Sequence, residues 1–376
     1  MTGNILSYLK EYGRYSLREK SFNDVDALIL CQFAYLKFDG LVPGPDQDMI
    51  TITDLLEHPD FDNLFLNPLF ERQNRELLSL MIGSERFKTM RLGEYVNRIE
   101  LKLEIQFSAL TCLLDNDILY IAFRGTDENL VAWKEDFNMI SRLPVPAQEE
   151  ALIYLNRVGE CFNGRILIGG HSKGGNLAVY AAMCCREKIQ ERLVKIYNMD
   201  GPGFPQATLI KYDYERIADR VLKLLPHSSL IGMIFEQKSS WHVVESRGLG
   251  IFQHDAYTWI VRGDHFVEVP GICRQCKKMN HIMNQWLQTI GEDRAQSFFD
   301  ALFDGFGVRE KQIAGGSWAT AWTLPGFIMN TIQRFDRSVL GQMQESMKAL
   351  FEVAGEDALH SLRNNIGKNG SNDIGR

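Results

Sequence analysis

The chain has 376 residues, 45% of them hydrophobic and 24% charged, which is the balance of a globular protein with room for one large domain and an extension. A net charge of −7 excludes general nucleic-acid binding, which needs a basic face. No apolar stretch approaches the roughly 20 residues that span a bilayer, and residues 1–14 lack the basic and apolar regions of a secretory signal, so the expected setting is the cytoplasm.

The predicted elements begin with two helices within residues 5–38, the second capped at Ser21-Phe22-Asn23-Asp24. Residues 40–95 are mixed, with helical patterns near 49–57 and 74–82. Residues 103–114 alternate like a strand, Asp115-Asn116-Asp117 reads as a turn, and Ile118–Phe123 as the returning strand of a hairpin. From there helices and strands alternate: helix 148–162, strand 165–169, helix 175–190, strand Leu193–Met199, a short helix near 205–216 and strand Val221–Leu225. His242–Ser246 and Tyr257–Val261 read as later strands. Such alternation predicts an α/β fold whose central sheet is mostly parallel and covered on both faces, with its site outside the carboxyl ends of the strands.

Beyond Pro270 the strand pattern stops, and residues 274–303 and 325–364 read as helical. Ile328, Ile332, Phe335, Val339, Met343, Met347 and Phe351 recur every three or four residues as one apolar stripe. The organisation expected is a catalytic domain over 1–272 that includes the N-terminal helices. A helical extension over 273–376 then packs on the core or acts as a lid able to meet lipid. The seven scattered cysteines read as reduced thiols, and the lone Cys273-Arg274-Gln275-Cys276 pair as two thiols at a helix start rather than a metal site.

Chemistry concentrates at Gly170-His171-Ser172-Lys173-Gly174, which follows the apolar run Arg165–Gly169 and precedes the small-residue helix Gly175–Ala182. A strand, a Gly-x-Ser-x-Gly turn and a helix together form the pattern of a nucleophile elbow. Gly170 and Gly174 remove side chains that would collide across the sharp turn, and Gly175 lets the helix pack close. The helix N-terminus then points free N–H groups toward a developing oxyanion.

A serine hydroxyl needs a base, normally histidine, and the histidine needs a carboxylate that fixes its tautomer. Elbow hydrolases present them in the order Ser…Asp/Glu…His. Of eight histidines, His58 lies upstream, His171 is inside the elbow, and His281 and His360 fall in the extension. Among His227, His242, His254 and His265, His254 sits in a loop between two strand-like stretches near the sheet's end and is the expected base, with His227 next. Asp200 directly ends Leu193–Met199 and is the expected acid. Asp255 adjoins His254 too closely in sequence, and Glu236 lies in an irregular stretch. The oxyanion donors expected are the backbone N–H of Lys173 and that of Thr126, in the Phe123-Arg124-Gly125-Thr126-Asp127 turn after an earlier strand.

Phe123-Arg124-Gly125-Thr126, Trp133-x-x-Asp136 and Gly170-His171-Ser172-x-Gly174-Gly175 resemble the class 3, or fungal-type, lipase pattern over about residues 103–200. A closer resemblance, over most of residues 3–262, is to the Mbeg-like bacterial family of α/β-hydrolases, whose substrates are undefined. It is carried by Ser21–Leu30, Phe123–Asp127, Trp133–Phe137, His171–Tyr180, Asp200–Phe204, Ser228–Met233 and Gln253–Asp255. It implies an α/β-hydrolase fold and a hydrolase.

One departure stands out. The class 3 pattern carries an aspartate after the strand that here ends in Pro226-His227-Ser228-Ser229. Either Asp200 takes over as the acid or the triad is incomplete.

The function expected is cleavage of carboxylic esters, of lipid or other acyl type, through Ser172, His254 and Asp200, with no cofactor and no metal. The partners expected are small-molecule or lipid esters, with peripheral membrane contact open. The alternatives are an acyltransferase or thioesterase on the same triad, and a non-catalytic binding module.

Overall fold

The computed structural model describes residues 2–66, 70–100, 105–115, 117–125, 144–229, 231–236, 241–248, 250–274, 276–278, 280–281 and 284. Thr126, the Trp133–Asp136 motif and the apolar stripe beyond residue 325 lie outside them. Residues 1–127 with 146–273 form one compact unit, which holds every element named below; residues 128–145 and 274–376 fall in a second.

Helices α1 (Ile5–Tyr12) and α2 (Asp24–Phe33) open the chain. Asn23 caps α2 in a capping box with Asp26, so the helix starts where the cap pattern predicts. The buried Asp26 carboxylate is paired with Arg86, takes the Tyr8 hydroxyl at 2.9 Å, and so joins both helices to the segment after α3 (Glu71–Ile82). Arg86 also donates to the carbonyls of Lys20 at 2.9 Å and Ser21 at 3.0 Å. Residues Ile52–Glu57 form a 3-10 helix where the sequence pattern predicts an α-helix.

The central sheet has eight strands in spatial order β2 (Ile50–Thr51), β3 (Arg91–Glu100), β4 (Ile105–Asp115), β5 (Ile118–Phe123), β6 (Arg165–His171), β7 (Leu193–Met199), β8 (Val221–Pro226) and β9 (Trp241–Val244). β2 to β5 pair antiparallel and β5 to β9 pair parallel, which makes the sheet mainly parallel. β3 escapes the sequence reading because its buried and exposed residues do not alternate across the bulge between Gly93 and Val96.

The parallel strands follow one another in space as in sequence. Right-handed crossovers that always step the same way deliver their helices to one face. These are α4 (Pro146–Cys161), α5 (Lys173–Cys184) with the single turn α6 (Glu187–Gln190), and α7 (Gln206–Lys211). The opposite face would be left bare, and α2 packs there against β5, β6 and β7. That position explains why residues 25–33 of α2 are all buried, since a helix apolar all round needs neighbours on every side.

Two expectations fail near the end of this unit. Tyr257–Val261 is not a strand of the main sheet: Gly250–His254 and Ala256–Thr258 are 3-10 turns. β10 (Val261–Arg262) and β11 (His265–Phe266) instead join β1 (Thr2–Gly3) in a separate three-stranded sheet. The end of this apolar run is paired only in short stretches: Trp259 bridges Ser246, the Ile260 N–H is held by the Glu245 carbonyl at 2.9 Å, and Val261 pairs with Gly3 and Phe266. Trp259 is fully enclosed, with its ring N–H on the Gln253 carbonyl at 2.9 Å. The thiol expectation holds for Cys31, Cys112, Cys161, Cys184 and Cys185 but not for Cys273 and Cys276, which are disulfide-bonded. Cys-x-x-Cys spacing serves a short disulfide as well as two thiols.

Candidate active site

Ser172 follows directly on β6, with φ +57° and ψ −131°, a conformation rare for any residue but glycine. Such strain costs about 1–3 kcal/mol and persists only where neighbours enforce it. They do so here by close approach. A Cβ on Gly170 would lie 2.2 Å from the Gly174 backbone, and one on Gly174 would lie 2.2 Å from the Phe123 carbonyl oxygen. The Ser172 N–H is held by the Met199 carbonyl at 2.9 Å, and α5 starts at the next residue. Lys173 thus contributes its backbone to the helix N-terminus. Its ammonium is buried and turned back to β4, donating to the Gln106 carbonyl at 2.8 Å.

Asp200 occupies the matching place one strand over. His171 pairs in register with Met199, so Ser172 and Asp200 are the first residues past adjacent strand tips. Asp200 also has a left-handed backbone, with φ +53°, and its N–H is held by the Leu224 carbonyl at 2.9 Å. The Gly201-Pro202-Gly203 turn beyond it is braced by other residues. Asn198 Oδ1 accepts the Gly201 N–H at 2.8 Å, and Asn176 Nδ2 donates to the Pro202 and Gly203 carbonyls at 3.2 and 3.1 Å. The Asp200 carboxylate, fully buried, is left for other partners.

Those partners are His254 and Ser229. His254 Nδ1 lies 2.7 Å from Asp200 Oδ2, and the Ser229 hydroxyl donates to Asp200 Oδ1 at 2.5 Å. A carboxylate that receives Nδ1–H fixes the imidazole in the tautomer whose Nε2 lone pair is available as a base. Ser229 stands at the tip of β8, where the class 3 pattern has its aspartate. In place of a carboxylate it supplies a buried donor to the carboxylate of the neighbouring strand. Sequence reasoning marked that position only for the acid it lacks.

His254 ends a 3-10 turn that is tied down on several sides. Gln253 Oε1 accepts the Ser228 N–H at 2.8 Å, and Asp255 caps the following turn by accepting the Tyr257 N–H at 2.9 Å. Burial pushes the Asp255 carboxyl up to about 6. The ring of His254 rests against that of His171, with centroids 4.5 Å apart and planes 34° from parallel. His171 turns toward His254: its Nε2 lies 2.8 Å from the His254 carbonyl oxygen. Burial, and next the nearby His254, hold His171 well below the usual imidazole range, so it is neutral with Nε2–H donating. No hydrogen bond joins Ser172 Oγ to the His254 ring among the described residues; such bonds are often long without substrate and tighten in the reacting complex.

The other candidates are placed elsewhere. His227 follows β8, with its N–H on the Val244 carbonyl at 3.0 Å, and His242 is exposed on β9 beside Glu268 at 3.1 Å. His265 bonds Asp264 at 3.3 Å, and Glu236 is paired with Lys223. Among the described residues no cluster of histidine, cysteine, aspartate or glutamate has the makings of a metal site.

Residues 81–304 match the Mbeg1-like family. The chain belongs to that family. The matched stretch contains Ser172, Asp200, Ser229 and His254, while α1, α2 and most of α3 precede it. No curated protein matches this Mbeg1-like chain. Among solved structures, a crystal structure of M37 lipase is similar with a TM-score of 0.37 and 14% identity, over 57% of this chain and 70% of that one. A likeness that slight leaves the fold to be read from the strand order above.

Proposed function

We propose that the chain is a serine hydrolase of the α/β-hydrolase type, acting on carboxylic esters of lipid or other acyl compounds. The observation that carries this reading is the 2.7 Å bond from His254 Nδ1 to a buried carboxylate at the strand tip next to the elbow serine. An imidazole so oriented has one free nitrogen, and the elbow has one half-buried serine.

In the proposed reaction, His254 Nε2 takes the Ser172 hydroxyl proton as Oγ attacks the ester carbonyl. Asp200 holds the imidazolium that results. The Lys173 N–H at the start of α5 receives the oxyanion, with Thr126 as the second donor. His254 returns its proton to the leaving alkoxide, an acyl-Ser172 ester remains, and water activated by the same imidazole releases the acid. The chain's own residues supply every step, so the reading calls for no cofactor. No described helix is long and apolar enough to cross a membrane. A cytoplasmic enzyme with residues 273–376 packed on the core or serving as a lid is the organisation proposed.

Hydrolysis of p-nitrophenyl butyrate and of a short-chain thioester, by the native chain and by Ser172→Ala, tests the reading. Ester turnover that falls about 10⁴-fold or more in the variant is expected. Equal rates in both proteins, or none in the native one, would remove it. Faster turnover of the thioester would move the substrate class.

A further inference from the structure

The turn that carries His254 is held at its flanks by Gln253 and Asp255, which leaves the backbone of His254 itself to be fixed. Two side chains outside the triad bear on this. His171 immediately precedes the nucleophile, is 6% exposed, and reaches the His254 carbonyl oxygen with Nε2 at 2.8 Å. Its other nitrogen, Nδ1, lies 3.1 Å from the hydroxyl of Tyr35, just past the end of α2. With Nε2 carrying the proton, Nδ1 is an acceptor and the tyrosine O–H donates. The hydrogen bonds therefore run one way, from Tyr35 through His171 to the backbone of His254.

The room for this relay comes from Gly125. A Cβ there would lie 2.0 Å from the Tyr35 hydroxyl oxygen and 2.7 Å from the His171 carbonyl oxygen. Gly125 thus opens a path for a tyrosine that lies outside the family-matched stretch.

We propose that Tyr35 and His171 are positioning residues for His254. They hang the base-bearing turn from the elbow itself, so that nucleophile and base move as one unit. Asp200 orients the imidazole about its own axis; the relay sets where its backbone stands. A displacement of about 1 Å at a reacting group can cost roughly 100-fold in rate, so the relay should govern kcat rather than KM. This inference rests on the hydrolase reading for its kinetic test, and its structural test stands apart from that reading.

The experiment pairs ester kinetics with ¹⁵N-histidine NMR of the full chain. The His254 Nδ1–H resonance is identified by its loss in Asp200→Asn. His171→Ala is expected to lower kcat roughly 100-fold with KM within about twofold, and to shift or broaden that resonance. Tyr35→Phe keeps the ring and disturbs folding least; about a tenfold fall in kcat is expected from loss of one donor. His171→Gln, whose amide can still donate to the His254 carbonyl, should recover most of the loss seen in His171→Ala.

If His171→Ala and Tyr35→Phe leave both kcat and the His254 resonance as in the native chain, the positioning role is wrong. If Gln rescues no better than Ala, the hydrogen bond to His254 is not what His171 contributes, and the inference is again overturned. Should the native chain turn over no ester at all, the hydrolase reading fails, and the resonance alone then decides whether the relay holds His254.

Discussion

Ser172, the glycines that shape its turn and His171 come from one short stretch, residues 169–175, whereas the other groups that answer the serine are gathered from positions 35, 200, 229 and 254. The first half is local. A strand, a turn and a helix fold together, and backbone packing leaves the serine in a left-handed conformation. The second half exists only when β7, β8, the 3-10 turns at residues 250–258 and the segment after α2 have all docked. On the proposed reading, Ser172, built locally, should tolerate changes on the other side of the site, while the assembled His254–Asp200 pair should be sensitive to losses at several distant positions.

Breaking the assembled half at its centre should have the largest effect. Asp200→Asn removes the carboxylate that receives His254 Nδ1–H, so the imidazole is free to take the wrong tautomer. Ester kcat should fall about 10³–10⁴-fold with circular dichroism unchanged. Breaking the local half acts on folding instead. Gly174→Ala forces a Cβ to 2.2 Å from the Phe123 carbonyl, backbone that cannot step aside as a flexible side chain could. A loss of about 3 kcal/mol is expected in urea unfolding, at the upper end of overpacking penalties.

Ser229→Ala tests the assembled half more gently. A hydrogen bond to a charged group contributes about 1.5–3 kcal/mol, so kcat should drop about 10–100-fold with KM little changed. A native rate would mean that Asp200 needs only His254.

The smallest effect expected is a proton linkage beside the base. Burial raises Asp255 from its ordinary 3.8 to about 6. Between those values the folded state binds more protons than the unfolded chain, so stability falls as pH rises through that window. It stays lower above the window by on the order of 1–3 kcal/mol. Asp255→Asn retains the acceptor that caps Tyr257 and should raise Tm at pH 8 but not at pH 4. An equal change at both pH values would contradict the linkage.

The contrast also accounts for what could be read from the chain. Ser172 was legible because its whole context, strand, glycines and Ala-rich helix, is contiguous. Asp200 and His254 were reachable by asking which residues follow strands, and the structure brings them together at 2.7 Å. His254 nonetheless leads into a 3-10 turn over Ala256–Thr258, and strand pairing begins only beyond it, where Trp259 bridges Ser246 and Val261 pairs with Gly3. Ser229, His171 and Tyr35 left no usable sequence signal. A hydroxyl next to a strand tip and a tyrosine after a helix are ordinary, and their meaning lies in partners far away in the chain.

Labelling with a fluorophosphonate, followed by peptide mass mapping, tests the central claim most directly. An elbow serine paired with an Asp200-oriented imidazole should react in the native chain, carry the phosphonyl group on the peptide that contains Ser172, and lose the label in Ser172→Ala and most of its rate in His254→Ala. A native chain that stays unlabelled, or a label that persists unchanged in Ser172→Ala, would contradict it.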